Sequence, residues 1–297
     1  MIEHNNENTK EKLKVNRIVL IVSMIAAIGC GVVTYGYEAF PELCVKQTRI
    51  RIGLKKPVRV LHVSDAHLSK VDSRDSGKLR EFALSRSRMG RELGEYYLDM
   101  ATALCRQKDM TLIHTGDLVA FCGEACLEAA ERRLKTDKVI ACVGNHEFWL
   151  DGDRKDVEKN RAECMPRLKA AYGSQVTASV REIGGVNFFS FDNASQLVCK
   201  EVSDAFDRVV RLKKPIVLVC HVPLYTRDIT RFSCGNKADV CDGTTSAFVE
   251  KVRREPLVKA VLAGHVHASA ESRFSPTAME YVSNALFNGE AREIVFE

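Results

Sequence analysis

The 297-residue sequence contains no internal repeat, no low-complexity tract and no nucleic-acid-binding motif. The first absence excludes a solenoid or other repeat array, in which one unit recurs at a fixed period. The second removes any compositional argument for a disordered segment. Without a motif, a formal charge of +5, from 44 basic and 39 acidic residues, is too mild to point to DNA or RNA. The eleven cysteines follow no zinc-ribbon spacing, which excludes that kind of thiolate site. They form an odd, scattered set, which argues against a strongly oxidising compartment. Cys142, Cys199 and Cys220 lie in or beside apolar runs as small core residues, Cys122 and Cys126 read as separate thiols, and Cys234 with Cys241 is the one pair nominated for a disulfide. What remains, 45% hydrophobic and 28% charged, is an ordinary globular composition.

Charge is also absent locally. From Ile18 to Tyr37 the chain runs twenty residues without a charged side chain. At about 1.5 Å per residue, a helix of that length spans roughly 30 Å, the hydrocarbon thickness of a bilayer. Lys10, Lys12, Lys14 and Arg17 precede the run, Glu38 and Glu42 follow it, and Tyr35 and Tyr37 fall at the interface. The expectation is a single-pass anchor in the cell membrane over 18–37, with 1–17 as a cytoplasmic tail and the rest on the extracytoplasmic side. Lys46, Arg49, Arg51, Lys55 and Lys56 count against that orientation. A cleaved signal would need a small-x-small site, which Ala26-Ala27-Ile28-Gly29 fits poorly. A lipidated Cys30 would want Leu where Ala27 stands. Residues 38–57 read as a linker and lead-in strand, and 58–297 as one α/β domain large enough for a sizeable core.

Within that domain strands and helices alternate. Apolar runs predict strands over Val58–Val63, Met110–His114, Lys138–Val143, Ile216–Cys220 and Val258–Leu262, and helices over Tyr97–Arg106, Gly123–Leu134, Val202–Leu212 and Thr245–Arg254. Gln175–Val180 and Val186–Phe191 read as a strand pair turning at Gly184-Gly185, with two further strands around Met279–Val282 and Ala291–Phe296. Polar clusters stand where five of these strands end: Asp65-Ala66-His67, Gly116-Asp117, Gly144-Asn145-His146-Glu147, His221-Val222-Pro223 and Gly264-His265-Val266-His267. They hold five of the eight histidines, at the strand ends where ligand sites of α/β sheets collect.

Two side chains at i and i+2 leaving a strand point to one side, so Asp65 with His67, and His265 with His267, are each expected to converge. Carboxylate, imidazole and amide oxygen suit Mn, Fe or Zn, and no cysteine stands in the clusters. A carboxylate such as Asp117 can bridge two ions. Two ions roughly 3.5–4 Å apart lower the pKa of a shared water and clamp both oxygens of an in-line displacement at phosphorus.

In this order the clusters resemble the calcineurin-like metallophosphoesterases, whose pattern is D-x-H, G-D, G-N-H-[ED], H and G-H-x-H. The match runs from Asp65 to His267 with every ligand position filled. The resemblance implies a four-layer αββα sandwich of two mixed sheets with flanking helices. It implies two divalent or transition-metal ions, one held by Asp65, His67, Asp117 and His267, the other by Asp117, Asn145, His221 and His265. It makes Asp117 and His146 the catalytic residues, with His146 facing the leaving group as general acid. The anchor resembles the membrane-associated bacterial branch of that family.

The chain departs from the pattern at Ala268-Ser269-Ala270, where Gly-Gly-Gln is common, and at Ala120, where an acid is frequent. Asp65 and Asp117 are 52 positions apart, and the interval includes a basic polar stretch, Ser69 to Arg91, that reads either as a cap drawing an anionic substrate or as a solvated helix. His62 and His114 read as core residues with a local hydrogen bond, Glu147 as a residue that orients its neighbours, and Trp149 as a residue that packs against the domain or stacks on a substrate ring. The leading expectation is hydrolysis of a phosphoester by a hydroxide bound between two metals, in a membrane-anchored enzyme whose substrate includes lipid-linked phosphoesters among the options. The alternatives are a pyrophosphatase of the UDP-diacylglucosamine type at the membrane face and a non-catalytic scaffold, metal-dead or with structural metal, that uses the same fold to bind partners, the latter disfavoured because no ligand is lost.

Overall fold

The computed structural model describes residues 42–86, 93–151, 155–225, 234 and 243–297. In chain order the strands are β1 Cys44–Ile50, β2 Val58–Val63, β3 Thr111–Thr115, β4 Val139–Cys142, β5 Ala178–Ile183, β6 Val186–Phe191, β7 Ile216–Val219, β8 Val258–Ala263, β9 Ala270–Arg273, β10 Met279–Val282 and β11 Glu290–Phe296. The helices are α1 Gly77–Arg86, α2 Leu93–Lys108, α3 Glu124–Leu134, α4 Val157–Tyr172, α5 Lys200–Val210 and α6 Gly243–Arg254. One sheet has the order β1-β11-β2-β3-β4 and the other β5-β6-β7-β8-β10-β9. Both are mixed: β11 runs antiparallel to β2 in the first, and β5 and β9 run antiparallel to their neighbours in the second.

Alternation of side chains along each strand sorts the apolar residues into three cores. Val58, Val60, Ile113, Ile140 and Ile294 of the first sheet pack against Phe188, Val217, Val219, Ala260 and Leu262 of the second. On the first sheet's other face, Leu61, Val63, Leu112 and Ala141 meet Leu98, Ala101, Cys126, Ala130 and Leu168 of α2, α3 and α4. The second sheet's Phe189, Phe191, Leu218 and Val261 meet Val202, Phe206, Phe248 and Val252 of α5 and α6. The layers are therefore helix, sheet, sheet, helix. Strands covered on both faces read as continuous apolar runs, which is why β3, β4, β7 and β8 stand out in the sequence.

α4 and β9 are among the described elements that have no such signature. In α4 the buried residues Asn160, Cys164, Leu168 and Tyr172 recur every four positions, a stripe one residue wide, and Pro166 interrupts the helix interior. The Asp156 carboxylate accepts from Lys159 N and starts it. Edge strand β9, Ala-Glu-Ser-Arg, pairs only with β10 and needs no apolar face. Among the described residues no helix is long and apolar enough to cross a membrane, and the uncharged run 18–37 lies outside them.

Candidate metal centre

The polar clusters come together at one end of the sandwich, past the carboxyl ends of β2, β3, β4, β7 and β8. The chain does not leave those strands extended. Asp65, His67, Asp117, His265 and His267 have φ of 56°, 50°, 54°, 72° and 54°, and they are five of the eight described non-glycine residues with positive φ. Each such conformation costs on the order of 1–3 kcal/mol and persists only where its surroundings enforce it. The i, i+2 argument from an extended strand therefore fails here. Asp65 and His67 do converge, but by left-handed turns, and His265 and His267 part company.

The side chains form two sets that share Asp117. In the first, His67 Nε2 lies 3.8 Å from Asp65 Oδ1, 3.8 Å from Asp117 Oδ2 and 3.2 Å from His267 Nε2. Ligand atoms of Asp65, His67, Asp117 and His267 all fall within 4.8 Å of one another. In the second, His221 Nε2 lies 3.4 Å from Asp117 Oδ1 and 3.1 Å from Asn145 Oδ1, while His265 Nδ1 lies 3.0 Å from Asn145 Oδ1 and 3.2 Å from His221 Nε2. All seven residues expected to hold metal are thus gathered, and the two oxygens of Asp117 face different sets.

Backbone bracing holds these positions. Glu147 accepts from the backbone N–H groups of Asp117, Leu118, Val119 and Gly144 and from the Tyr172 hydroxyl. It orients its neighbours, as expected. Asn193 Oδ1 accepts from the N–H groups of His221 and Val222, and its Nδ2 donates to Val222 O. Glu280, on β10, accepts from Leu224 and Tyr225 N–H. His221 Nδ1 donates to Thr115 O at 2.8 Å, which leaves Nε2 to face Asp117. The sheets also interlock through glycine. A Cβ on Gly116 would meet the His221 ring at 2.5 Å, and one on Gly264 would meet Asp65 Oδ2 at 2.7 Å. Each sheet has a gap that admits a ligand residue of the other.

The electrostatics favour a cation. Burial pushes Asp117 up, but His221, His146 and His67 pull it well below the ordinary carboxylate range. Asp65 is likewise lowered, burial being overcome by His267 and His221. Burial lowers His221, yet Asp117 and Asp65 raise it further, to about 10. The proton it keeps points to where two oxygens converge, the place a metal ion would take. Burial and the neighbouring His221 hold His265 down at about 4. Asp65 Oδ1 is buried with His267 Nε2 3.2 Å and His67 Nε2 3.8 Å away, neither aligned as a hydrogen bond. A buried carboxylate oxygen facing two imidazole nitrogens in this way fits a borderline metal.

His146 stands beside this centre, its Nε2 3.8 Å from Asp117 Oδ2. Its backbone N–H donates to Asp117 Oδ1, its Nδ1 donates to Ala120 O at 2.9 Å, and burial lowers it to about 4. Trp149 covers the imidazole, with ring centroids 3.4 Å apart, while also packing on the helix-side core. Trp149, Asn145 and His265 line a cleft of about 300 Å³ with Lys155, Ala194 and Gln196. Arg86, at the end of α1, reaches the same imidazole and caps the centre at that point, while the other described residues of the Ser69–Arg91 stretch are exposed or part-buried except Asp75 and Ala83. Arg88 and Arg91 of that stretch lie outside the described residues, as does Cys241 of the nominated disulfide; Cys234 is buried beside Asn193.

Sequence reasoning overlooked Asn193, Glu280 and Phe287, whose ring lies against His67 and His267, and saw Arg86 only as one of the basic residues of the Ser69–Arg91 stretch. Asn193 had a usable signal, since β6 also ends in a polar pair, Asp192-Asn193, but no histidine marks it. Of the two core histidines, His62 bonds Thr115 Oγ1 at 3.0 Å. His114 departs from expectation: both ring nitrogens are buried without a partner, and burial pushes it down to about 4.

The model of the calcineurin-like phosphoesterase family matches residues 58–269. The chain belongs to that family. It is therefore a metallophosphoesterase, an enzyme class that hydrolyses phosphoric esters, and it has a metal-capable Asp/His cluster. Solved structures similar to it include a dimetal phosphatase from Danio rerio, at 11% identity over 77% of this chain and 88% of that one, TM-score 0.45. A putative 5'-nucleotidase from Staphylococcus aureus shares 13% identity over 77% of this chain and 49% of its own, TM-score 0.44. A phosphopantetheinyl hydrolase from Mycobacterium tuberculosis shares 14% over 80% and 90%, TM-score 0.39. No curated protein matches the sequence.

Proposed function

We propose that this chain hydrolyses a phosphoester at a two-metal centre, with Asp65, His67, Asp117 and His267 on one ion and Asp117, Asn145, His221 and His265 on the other. The observation that carries the reading is Asp117, whose Oδ1 lies 3.4 Å from His221 and whose Oδ2 lies 3.8 Å from His67. One carboxylate facing two ligand sets is what a bridging group requires. Mn, Fe or Zn suits the donors. Two such ions, when bound, activate water and neutralise charge at phosphorus.

The chain's own residues do the rest. Glu147 and Asn193 fix the loops so that the ligand lone pairs converge before substrate arrives. His146, one contact from Asp117, is placed to pass a proton to a leaving oxygen. Its ring is neutral in the metal-free protein, and a phosphoryl dianion beside it would favour the charged form. Trp149 and the adjoining cleft take the organic part of the substrate.

The purified full-length protein should turn over p-nitrophenyl phosphate or its bis-ester only with a transition metal. Turnover that survives exhaustive chelation contradicts the two-metal reading.

Residues 18–37 serve, on this reading, as an uncleaved membrane anchor with the catalytic domain on the extracytoplasmic side, which brings lipid-linked phosphoesters within reach. Twenty uncharged residues behind a basic lead support it. The protein should stay with membranes through carbonate washing. A shortened soluble form beginning after Ala27 or near Cys30 would show a cleaved signal instead.

A further inference from the structure

Away from the metal centre, α2 and α3 leave a cavity of about 620 Å³ over the first sheet. Each helix packs chiefly on something else, α3 on α4 and α2 on the turn 286–288. Across the gap they are joined by Arg133, which reaches Glu95 at 2.9 Å and Asp99 at 3.2 Å. Leu98 and Cys105 of α2, Leu112 of β3, Leu118, and Leu134 of α3 give the cavity an apolar lining. That size and lining suit an organic ligand, which needs only a few placed polar groups to orient it.

One such group stands on the floor. His114, on β3, lines the cavity, is 1% exposed, and has no hydrogen bond at either ring nitrogen. Burial pushes it down to about 4, so the ring is neutral and offers one N–H donor and one acceptor nitrogen. A purely hydrocarbon occupant would leave both unpaired, which is costly away from water. A hydroxyl both donates and accepts, and so can pair with either nitrogen.

The rim supplies a second group. Five cationic side chains line the cavity against two carboxylates, Asp99 and Asp109. Both carboxylates are taken, by Arg133 and by Lys138. Lys135 pairs with Glu131, and Glu128, one turn before Arg132, pairs with Arg74. Among the described residues the exposed Arg106 and Arg132 have no ion pair. The rim is therefore complementary to an anion. His114 is paired with Ala141, three residues along β4 from Lys138, which puts floor and rim roughly 10 Å apart at a strand's rise per residue.

We propose that this cavity binds a small amphipathic organic acid, with its apolar body between α2 and α3, a hydroxyl on His114 and its anionic group at Arg106 and Arg132. The site shares no residue with the metal centre, and the proposal does not depend on the hydrolase reading.

The test is calorimetric titration of the full-length protein with three matched probes. In 4'-hydroxybiphenyl-4-carboxylate the rings separate hydroxyl and carboxylate by about the distance from floor to rim. Biphenyl-4-carboxylate lacks the hydroxyl and 4-hydroxybiphenyl lacks the anion. Wild type should prefer the first probe about tenfold over the second, the scale of one buried hydrogen bond. It should prefer the first about threefold over the third, since the rim charges are exposed. His114→Leu should bind the two carboxylates alike, and Arg106→Ala with Arg132→Ala should erase the preference for the anion. Melting temperatures show which variants are folded; if His114→Leu is not, the exposed double variant still decides where the probe sits. Titrations with manganese and with chelator should agree, because a carboxylate bound to the metal centre would need the metal. The proposal is overturned if wild type binds none of the probes or both carboxylates equally. It is also overturned if a folded variant keeps the preference it should lose, or if binding requires manganese.

Discussion

In the first sheet the loops carrying Asp117 and Asn145 are gathered by one carboxylate, Glu147, which accepts four backbone N–H groups and a tyrosine hydroxyl. In the second sheet the loop carrying His221 is gathered by a carboxamide, Asn193, which accepts two backbone N–H groups and returns one hydrogen bond. Both braces turn a strand end into a fixed platform for ligands. They differ in charge. Glu147 is an anion buried against the anionic Asp117, and burial and that neighbour push it up to about 7. Asn193 does not titrate. The lesson is that one half of the centre is held by a brace that depends on pH and on bound cations, and the other by one that does not.

The largest effect should come from Asp117, which belongs to both halves. Asp117→Ala should lose both ions and reduce turnover to background, read by metal analysis and a bis(p-nitrophenyl) phosphate assay. Retention of one full ion would show that the halves are independent. His146→Ala belongs to neither brace and should keep its metal while losing kcat by roughly 10²–10⁴-fold, less for better leaving groups. Next come the braces themselves. Glu147→Gln should weaken metal binding by about 10–100-fold, since an amide nitrogen cannot accept the N–H groups the carboxylate now takes. Asn193→Ala should weaken it less, near the lower end of that range. A reversed order would remove the contrast.

The smallest effect is a pH slope. A carboxyl whose folded pKa is raised binds its proton more tightly folded than unfolded. Between the ordinary value of 4.5 and about 7, Glu147 therefore makes the metal-free protein less stable as pH rises. His221, raised to about 10, withdraws stability over a higher window, from 6.5 upward. The difference in Tm between Glu147→Gln and wild type, without metal, isolates the first group and should become more positive from pH 4.5 to 7.5. For Asn193→Ala the same difference should stay flat. A flat Glu147→Gln difference would mean the brace carries no titrating charge.

Much of this was legible in sequence because burial on both faces makes β3, β4, β7 and β8 continuous apolar runs, and because a histidine or aspartate directly after such a run is rare without a purpose. Glu147 was legible from its motif. The route by which ligands converge was not: an extended exit predicts that His265 and His267 stay together, whereas left-handed turns at both send them to different sets. α4 was hidden by its single-file stripe and Pro166. Asn193 was hidden, and Arg86 visible only as one charge of the basic stretch, because their partners lie 28 and 60 positions away, a relation that only the packed sheets and α1 create.

The most direct measurement is anomalous scattering from crystals of the manganese-loaded protein. Two peaks are expected roughly 3.5–4 Å apart. One should lie among Asp65, His67 and His267, the other among Asn145, His221 and His265, with Asp117 between them. A single peak, or two peaks that Asp117 does not bridge, would contradict the shared-carboxylate centre.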